Sequence, residues 1–122
     1  MGQPDKSVSM NSYIKVNNET IQDFRVLANN LIETTRGEMG CLFYGFTYSD
    51  SEACCLEGYK DAESLVAHLD NIEDLLQRLY MLSEHIRLEV HGPQEAIDKL
   101  LGWPSLNKLN PKFYVLETGF RN

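Results

Sequence analysis

Between Val8 and Val16 apolar and polar residues alternate. Val8, Met10, Ile14 and Val16 share one face, which predicts a strand. Asn17 and Asn18 break it, and either can cap a helix. Ile21, Phe24, Leu27, Ala28, Leu31 and Ile32 follow at helical spacing, and Gly37 is placed to end that helix as a left-handed cap. Cys41 to Tyr48 is aromatic and reads as a strand. Asp50-Ser51 is a turn, and Ala53 to Tyr59 returns as the hairpin partner. Asp61 caps a short helix through Leu69. Asp70 with Glu73 resembles a capping box and opens a further helix, with Ile72, Leu75, Leu76, Leu79 and Leu82 on its buried face. His85 to His91 is the next strand: Ile86, Leu88 and Val90 point one way, Arg87 and Glu89 the other. Gly92-Pro93 starts a short helix bearing Ala96, Ile97, Leu100 and Leu101, closed by Gly102. Trp103 to Pro111 reads as a loop and Lys112 to Phe120 as a last strand.

The order β-α-β-β-α(α)-β is the split β-α-β pattern of a ferredoxin-like fold. The expected class is α+β: an antiparallel sheet with helices on one face and a C-terminal helix-strand extension. A chain of 122 residues makes one domain, 1–122, with a core over 8–91 and an extension over 92–122.

Composition narrows the function. Hydrophobic residues at 43 % exclude a natively disordered chain. No stretch approaches the ~20 apolar residues of a membrane span. The start, Met1 to Ser7, lacks the pattern of a secretory signal or a myristoylation site, so a cytoplasmic protein is expected. A net charge of −7 with Lys and Arg scattered singly argues against nucleic acid and against an anionic membrane surface. Cys41, Cys54 and Cys55 form neither a disulfide framework nor a zinc pattern, and free thiols are expected.

A two-residue turn at Asp50-Ser51 pairs Ser49 with Glu52, Tyr44 with Glu57 and Phe46 with Cys55. One hairpin face then carries Tyr44, Phe46, Tyr48, Cys55, Glu57 and Tyr59; the other carries Cys41, Phe43, Gly45, Thr47, Cys54, Leu56 and Gly58. Assigning the apolar, small-residue face to the helices leaves the Tyr and Glu side chains on an outer face with Asn11, Tyr13, Lys15, Arg87 and Glu89. An exposed patch that aromatic marks an interface, and a homodimer is the economical partner. Tyr44, Glu57, Tyr59 and Arg87 are therefore expected at a dimer interface.

The run Thr35-Arg36-Gly37-Glu38-Met39-Gly40-Cys41-Leu42-Phe43-Tyr44 resembles the T-R-x-E-x-G-C-L-x-Y signature of antibiotic biosynthesis monooxygenase (ABM) domains, of the dimeric α/β-barrel superfamily. Glu57-Gly58-Tyr59-Lys60-Asp61, followed by His68-Leu69, is similar to the family's E-x-[WY]-x-D … H segment. The resemblance implies a dimer whose C-terminal extension reaches the partner subunit. It also implies a cofactor-free monooxygenase of a phenol- or quinol-type aromatic, a small-molecule isomerase, or a catalytically silent ligand-binding or structural homodimer. No flavin, metal or nicotinamide is implied in the oxygenase branch. In the haem-degrading branch, Asn11 could match the first-strand Asn. His68 stands where that branch has Trp, and Arg78 where it has its axial His, so haem degradation is not expected.

His68 is the catalytic candidate, as acceptor of a phenolic proton. The alternative is a histidine anchoring its helix to a backbone carbonyl. Glu57 could act as a base, or pair with Arg87 or Lys15. Ser12, Phe43 and Leu56 are expected to line a substrate space between sheet and helices, with Trp103 closing it as a lid or packing in the core. His85 and His91 fall on one face of their strand but ~20 Å apart, too far to share a metal.

Overall fold

The computed structural model describes residues 5–122. The reading of the N-terminus rests partly on residues 1–4, outside that range. The chain folds as β1 (Val8–Lys15), α1 (Ile21–Arg36), β2 (Cys41–Ser49), β3 (Glu52–Tyr59), α2 (Ala62–Asn71), α3 (Glu73–Met81), β4 (Glu84–Gly92), α4 (Gln94–Leu101), α5 (Pro104–Asn107) and β5 (Lys112–Val115). The strands form one sheet in the order β2-β3-β1-β4-β5. The first four are antiparallel neighbours; β5 joins β4 in parallel. Helices pack on one face, so the class is α+β and ferredoxin-like, with an open sheet. No described helix is long and apolar enough to cross a membrane.

Local chemistry accounts for most boundaries. Asp61 caps α2 by accepting a 2.8 Å hydrogen bond from the Ser64 amide. Asp50 takes a positive φ of 52° at the hairpin tip, and Ser49 pairs with Glu52 as the turn requires. Other local expectations gave way. Thr20, not an asparagine, occupies the N-cap of α1, while the Asn17 side chain accepts from the Glu19 and Thr20 amides just before it. Gly37 ends α1 with φ −79°, a right-handed cap. Asp70 lies inside α2, and Ile72 caps α3 without a side-chain bond. Residues 104–107 form a helical turn within the expected loop, and β5 stops at Val115.

The sheet faces are the main correction. Val8, Met10, Ser12 and Ile14 of β1 point to the helices, and they stand opposite Tyr59, Glu57, Cys55 and Ala53 of β3. Cross-strand partners share a face, so the hairpin face bearing Tyr44, Phe46, Cys55, Glu57 and Tyr59 is the covered one. Phe43 (54 % exposed) and Leu56 (38 %) lie outside. On that outer face the Phe43 ring lies so tightly over Gly58 that a Cβ there would collide with it. On β4, the register shifts opposite Tyr13/Ile14. His85 then partners the buried Ile14 and His91 partners outer-face Ser9, so the two histidines face opposite ways. Ile86, at the irregularity, is exposed.

The core has two clusters. One joins Val8, Met10 and Tyr59 to Leu65, Leu69, Val90, Leu100 and Leu106. The other joins Ile14, Phe24, Leu31, Ile72 and Leu79. Leu100 and Leu106 come from residues 92–122, so that segment shares the core, and β5 extends this chain's own sheet.

Candidate functional site

His68 lies on α2, fully buried, beneath the hairpin. Its position follows from a tight turn between α1 and β2. The Glu38 amide donates to the Thr35 carbonyl, and the Lys60 amide donates to the Gly40 carbonyl. At Gly40 a Cβ would stand only 2.2 Å from Ser64 Oγ, so only glycine lets the first turn of α2 close on this segment. One helical turn beyond Ser64, His68 then meets Glu38: Nδ1 lies 3.0 and 2.9 Å from the two carboxylate oxygens. Asn71 Nδ2 donates to the same carboxylate at 3.0 Å.

The opposite edge of the ring faces Glu57. Nε2 lies 3.4 Å from Glu57 Oε1 and, among the described residues, has no hydrogen-bond partner. Glu57 is itself buried and accepts a 2.5 Å hydrogen bond from the Tyr59 hydroxyl. Burial pushes the Glu57 carboxyl above its ordinary value, against the opposing pull of His68 and of the Tyr59 and Cys55 hydrogen bonds. Tyr59 and Tyr44 flank the imidazole with ring centroids 5.1 and 5.2 Å away. Burial, then the Glu57 charge, pushes both phenols up. Burial also pushes Tyr80 up, to about 12, with the Ser12 hydroxyl partly offsetting it.

Nε2 and Glu57 border a small cavity of about 20 Å³, also lined by Ser12, Tyr44, Cys55, Leu76, Tyr80 and Leu109. That is room for about one water. The arrangement is an acid–base one. An imidazole is oriented by one carboxylate and faces a second, buried carboxyl whose hold on its proton is strengthened by burial. Among the described residues, no group of three or more His, Cys, Asp or Glu is placed to hold a metal. The three cysteines are free.

The structure brings Ser12, Tyr44, Glu57 and His68 to this cavity. Tyr59 joins them through Glu57. Tyr44, Glu57 and Tyr59 therefore do not lie on the outer face, because β3 pairs with β1 in the register that puts Glu57 opposite Met10. Phe43 and Leu56, expected to line this space, point away from it. Trp103 caps α5 at the surface and does not line the cavity. Arg87 is on the outer face, its guanidinium 3.8 Å from the Tyr13 ring centre. Glu38 had no role assigned from the sequence, although its place in the Thr35–Tyr44 signature was the available signal.

The fold is that of an ABM-like α+β protein. No family model matches the chain, and no curated protein matches it. Among solved structures, MupZ from Pseudomonas fluorescens is 34 % identical with a TM-score of 0.92, over 100 % of this chain and 94 % of MupZ. SnoaB from Streptomyces nogalater, a cofactor-independent oxygenase, superposes with a TM-score of 0.64 at 11 % identity, over 73 % of this chain and 94 % of its own. An antibiotic biosynthesis monooxygenase gives 0.60 at 19 %, over 68 % and 92 %. The chain belongs to the family of MupZ, within the ABM-like fold family. The MupZ match spans the whole chain and so includes α4, α5 and β5.

Proposed function

We propose that this protein is a cofactor-independent enzyme of ABM type. Its His68–Glu57 pair moves a proton on a small ligand held between sheet and helices. The observation that carries this reading is His68 Nε2. It is fully buried, borders the cavity and lacks a hydrogen-bond partner among the described residues, while Glu38 occupies the other nitrogen. A histidine serving only to anchor its helix would have its second nitrogen satisfied or in solvent.

The leading reaction is oxygenation of a phenol- or quinol-type aromatic. Loss of a phenolic proton to Nε2 yields the electron-rich anion that dioxygen can attack. The oxygenase activity named for SnoaB supports this choice. A second reading is isomerisation by proton transfer without oxygen. It is favoured by the second carboxyl, Glu57, whose Oε1 lies 3.4 Å from Nε2 and which a single deprotonation does not require. In either case we expect a homodimer formed through the outer sheet face, where Phe43, Leu56 and Arg87 are exposed.

The test is oxygen uptake by the purified protein with a panel of phenols and hydroquinones, run in D2O and repeated with His68→Ala. Uptake lost in the variant, by about 10²–10⁴-fold, supports the oxygenase. His68-dependent deuterium incorporation without uptake supports the isomerase. If neither occurs but ligands bind, the protein is a binding dimer and the catalytic reading falls.

A further inference from the structure

The cavity at His68 is too small to hold a whole organic ligand by itself, yet a second chamber shares part of its lining. Leu69, Leu76, Tyr80 and Leu109 line both spaces. They stand between the 20 Å³ inner space and an outer chamber of about 280 Å³ beside α3 and α5, and a ligand joining the two would pass them as a waist. Ligand sites usually occupy ~300–1,000 Å³, so the outer chamber alone approaches that range and the inner one does not.

A second observation points to an occupant. Ser105 lines the outer chamber, and its Oγ is buried without a hydrogen-bond partner among the described residues. Its placement is firm. Leu106 beside it is fully buried, and Asn107 Nδ2 donates to the Leu100, Leu101 and Trp103 carbonyls at 2.9, 3.1 and 2.7 Å, tying α5 to the end of α4. The two chambers therefore carry an unsatisfied polar atom each: His68 Nε2 inside and Ser105 Oγ outside, with an apolar waist between them. Leaving such groups buried and unpaired is costly, and a ligand that meets both removes the cost.

We propose that the two chambers are one substrate site for an elongated, mostly apolar ligand that carries a hydroxyl at its inner end. Its reactive hydroxyl-bearing end reaches His68 and Glu57, its apolar stem passes the waist at Leu76, Tyr80 and Leu109, and a second polar group meets Ser105. This rests on reading the His68 cavity as a ligand site. It makes α5 and Leu109 the determinants of ligand length.

The probes are 1-alkanols from propanol to decanol and the matching terminal diols, titrated into uniformly ¹⁵N-labelled full-length protein and followed by amide shifts. Affinity is expected to rise about fourfold per methylene, the equivalent of ~0.8 kcal/mol, until the outer chamber is full. Shifts are expected at both His68 and Ser105. Diols of the matching length are expected to bind more tightly than alkanols, and Ser105→Ala to remove that preference alone. Leu109→Trp, which blocks the waist, is expected to abolish the length dependence. Because that variant risks misfolding, nuclear Overhauser contacts from bound decanol to Leu109 and Leu76 methyls in the unmodified protein provide an independent reading. Affinity that ignores chain length, shifts confined to one chamber, or absent contacts at Leu109 overturn the proposal. Alkanols require no turnover, so failure of the oxygen-uptake assay is separable from failure here.

Discussion

Glu38 grips His68 at Nδ1 with both carboxylate oxygens within 3.0 Å, and so Nε2 is the nitrogen that faces Glu57 and the cavity. A carboxylate only accepts, so the Nδ1 edge must carry the hydrogen. The free lone pair, or a second proton, is then confined to Nε2.

Glu38→Gln tests that orientation. The amide keeps the shape but offers a donor as well as an acceptor, so the tautomer is no longer enforced. Imidazole ¹⁵N shifts should show Nδ1–H dominating in the unmodified protein and mixed tautomers in the variant. Turnover should fall by at least about tenfold, less than the loss for His68→Ala. An unchanged tautomer would remove Glu38 from the site.

Glu57 makes stability depend on pH with a definite sign. Its folded pKa is raised above the ordinary 4.5 by burial, so the folded state holds this proton more tightly than the unfolded one. The group favours folding most below its unfolded pKa, and that contribution is lost as pH rises through the higher folded value. Glu57→Gln should therefore gain on the unmodified protein as pH increases from 4 to 8, read by urea unfolding. Tyr59→Phe removes a hydrogen bond that lowers this pKa, so it should push the carboxyl titration, followed by ¹³C NMR, further up.

The contact between Gly40 and Ser64 sets the distance from Glu38 to His68. Gly40→Ala should cost about 1–3 kcal/mol, since both Ser64 Cβ and Oγ lie within 2.4 Å of the new methyl position. It should also lower activity by moving the start of α2. Adding Ser64→Gly, which removes the obstacle, should restore much of the activity. Denaturant unfolding and turnover of the three proteins check this.

The outer sheet face gives a separate expectation. Phe43→Glu and Leu56→Glu place charge on exposed positions remote from the cavity. The single-chain fold, read by circular dichroism, should persist. Sedimentation should shift from twice 14.0 kDa to the monomer mass. A monomer at micromolar concentration before substitution would refute the dimer.

Much of this was legible along the chain. The element order, the Asp61 cap and the Ser49–Glu52 hairpin register follow from alternation, helical spacing and turn chemistry, all short-range effects. His68 could be singled out because a histidine at helical spacing beside Leu65 must approach the buried face. The β4 irregularity left no signal of its own, and it turned His85 away from His91.

The sequence by itself determined which residues of the hairpin share a face, since a strand's period of two leaves no freedom there. Only the tertiary structure decided which face the helices cover. Hydrophobicity favoured the side with Phe43 and Leu56, because Glu57 and two tyrosines are costly to bury alone. They are not buried alone. Tyr59 donates to Glu57, Glu57 faces His68, and His68 is held at Nδ1 by Glu38, so four residues from three separate segments form one buried cluster that leaves His68 Nε2 for the cavity. Pairing β1 with β3 opposite Met10 and Glu57 assembled that network, and with it the site.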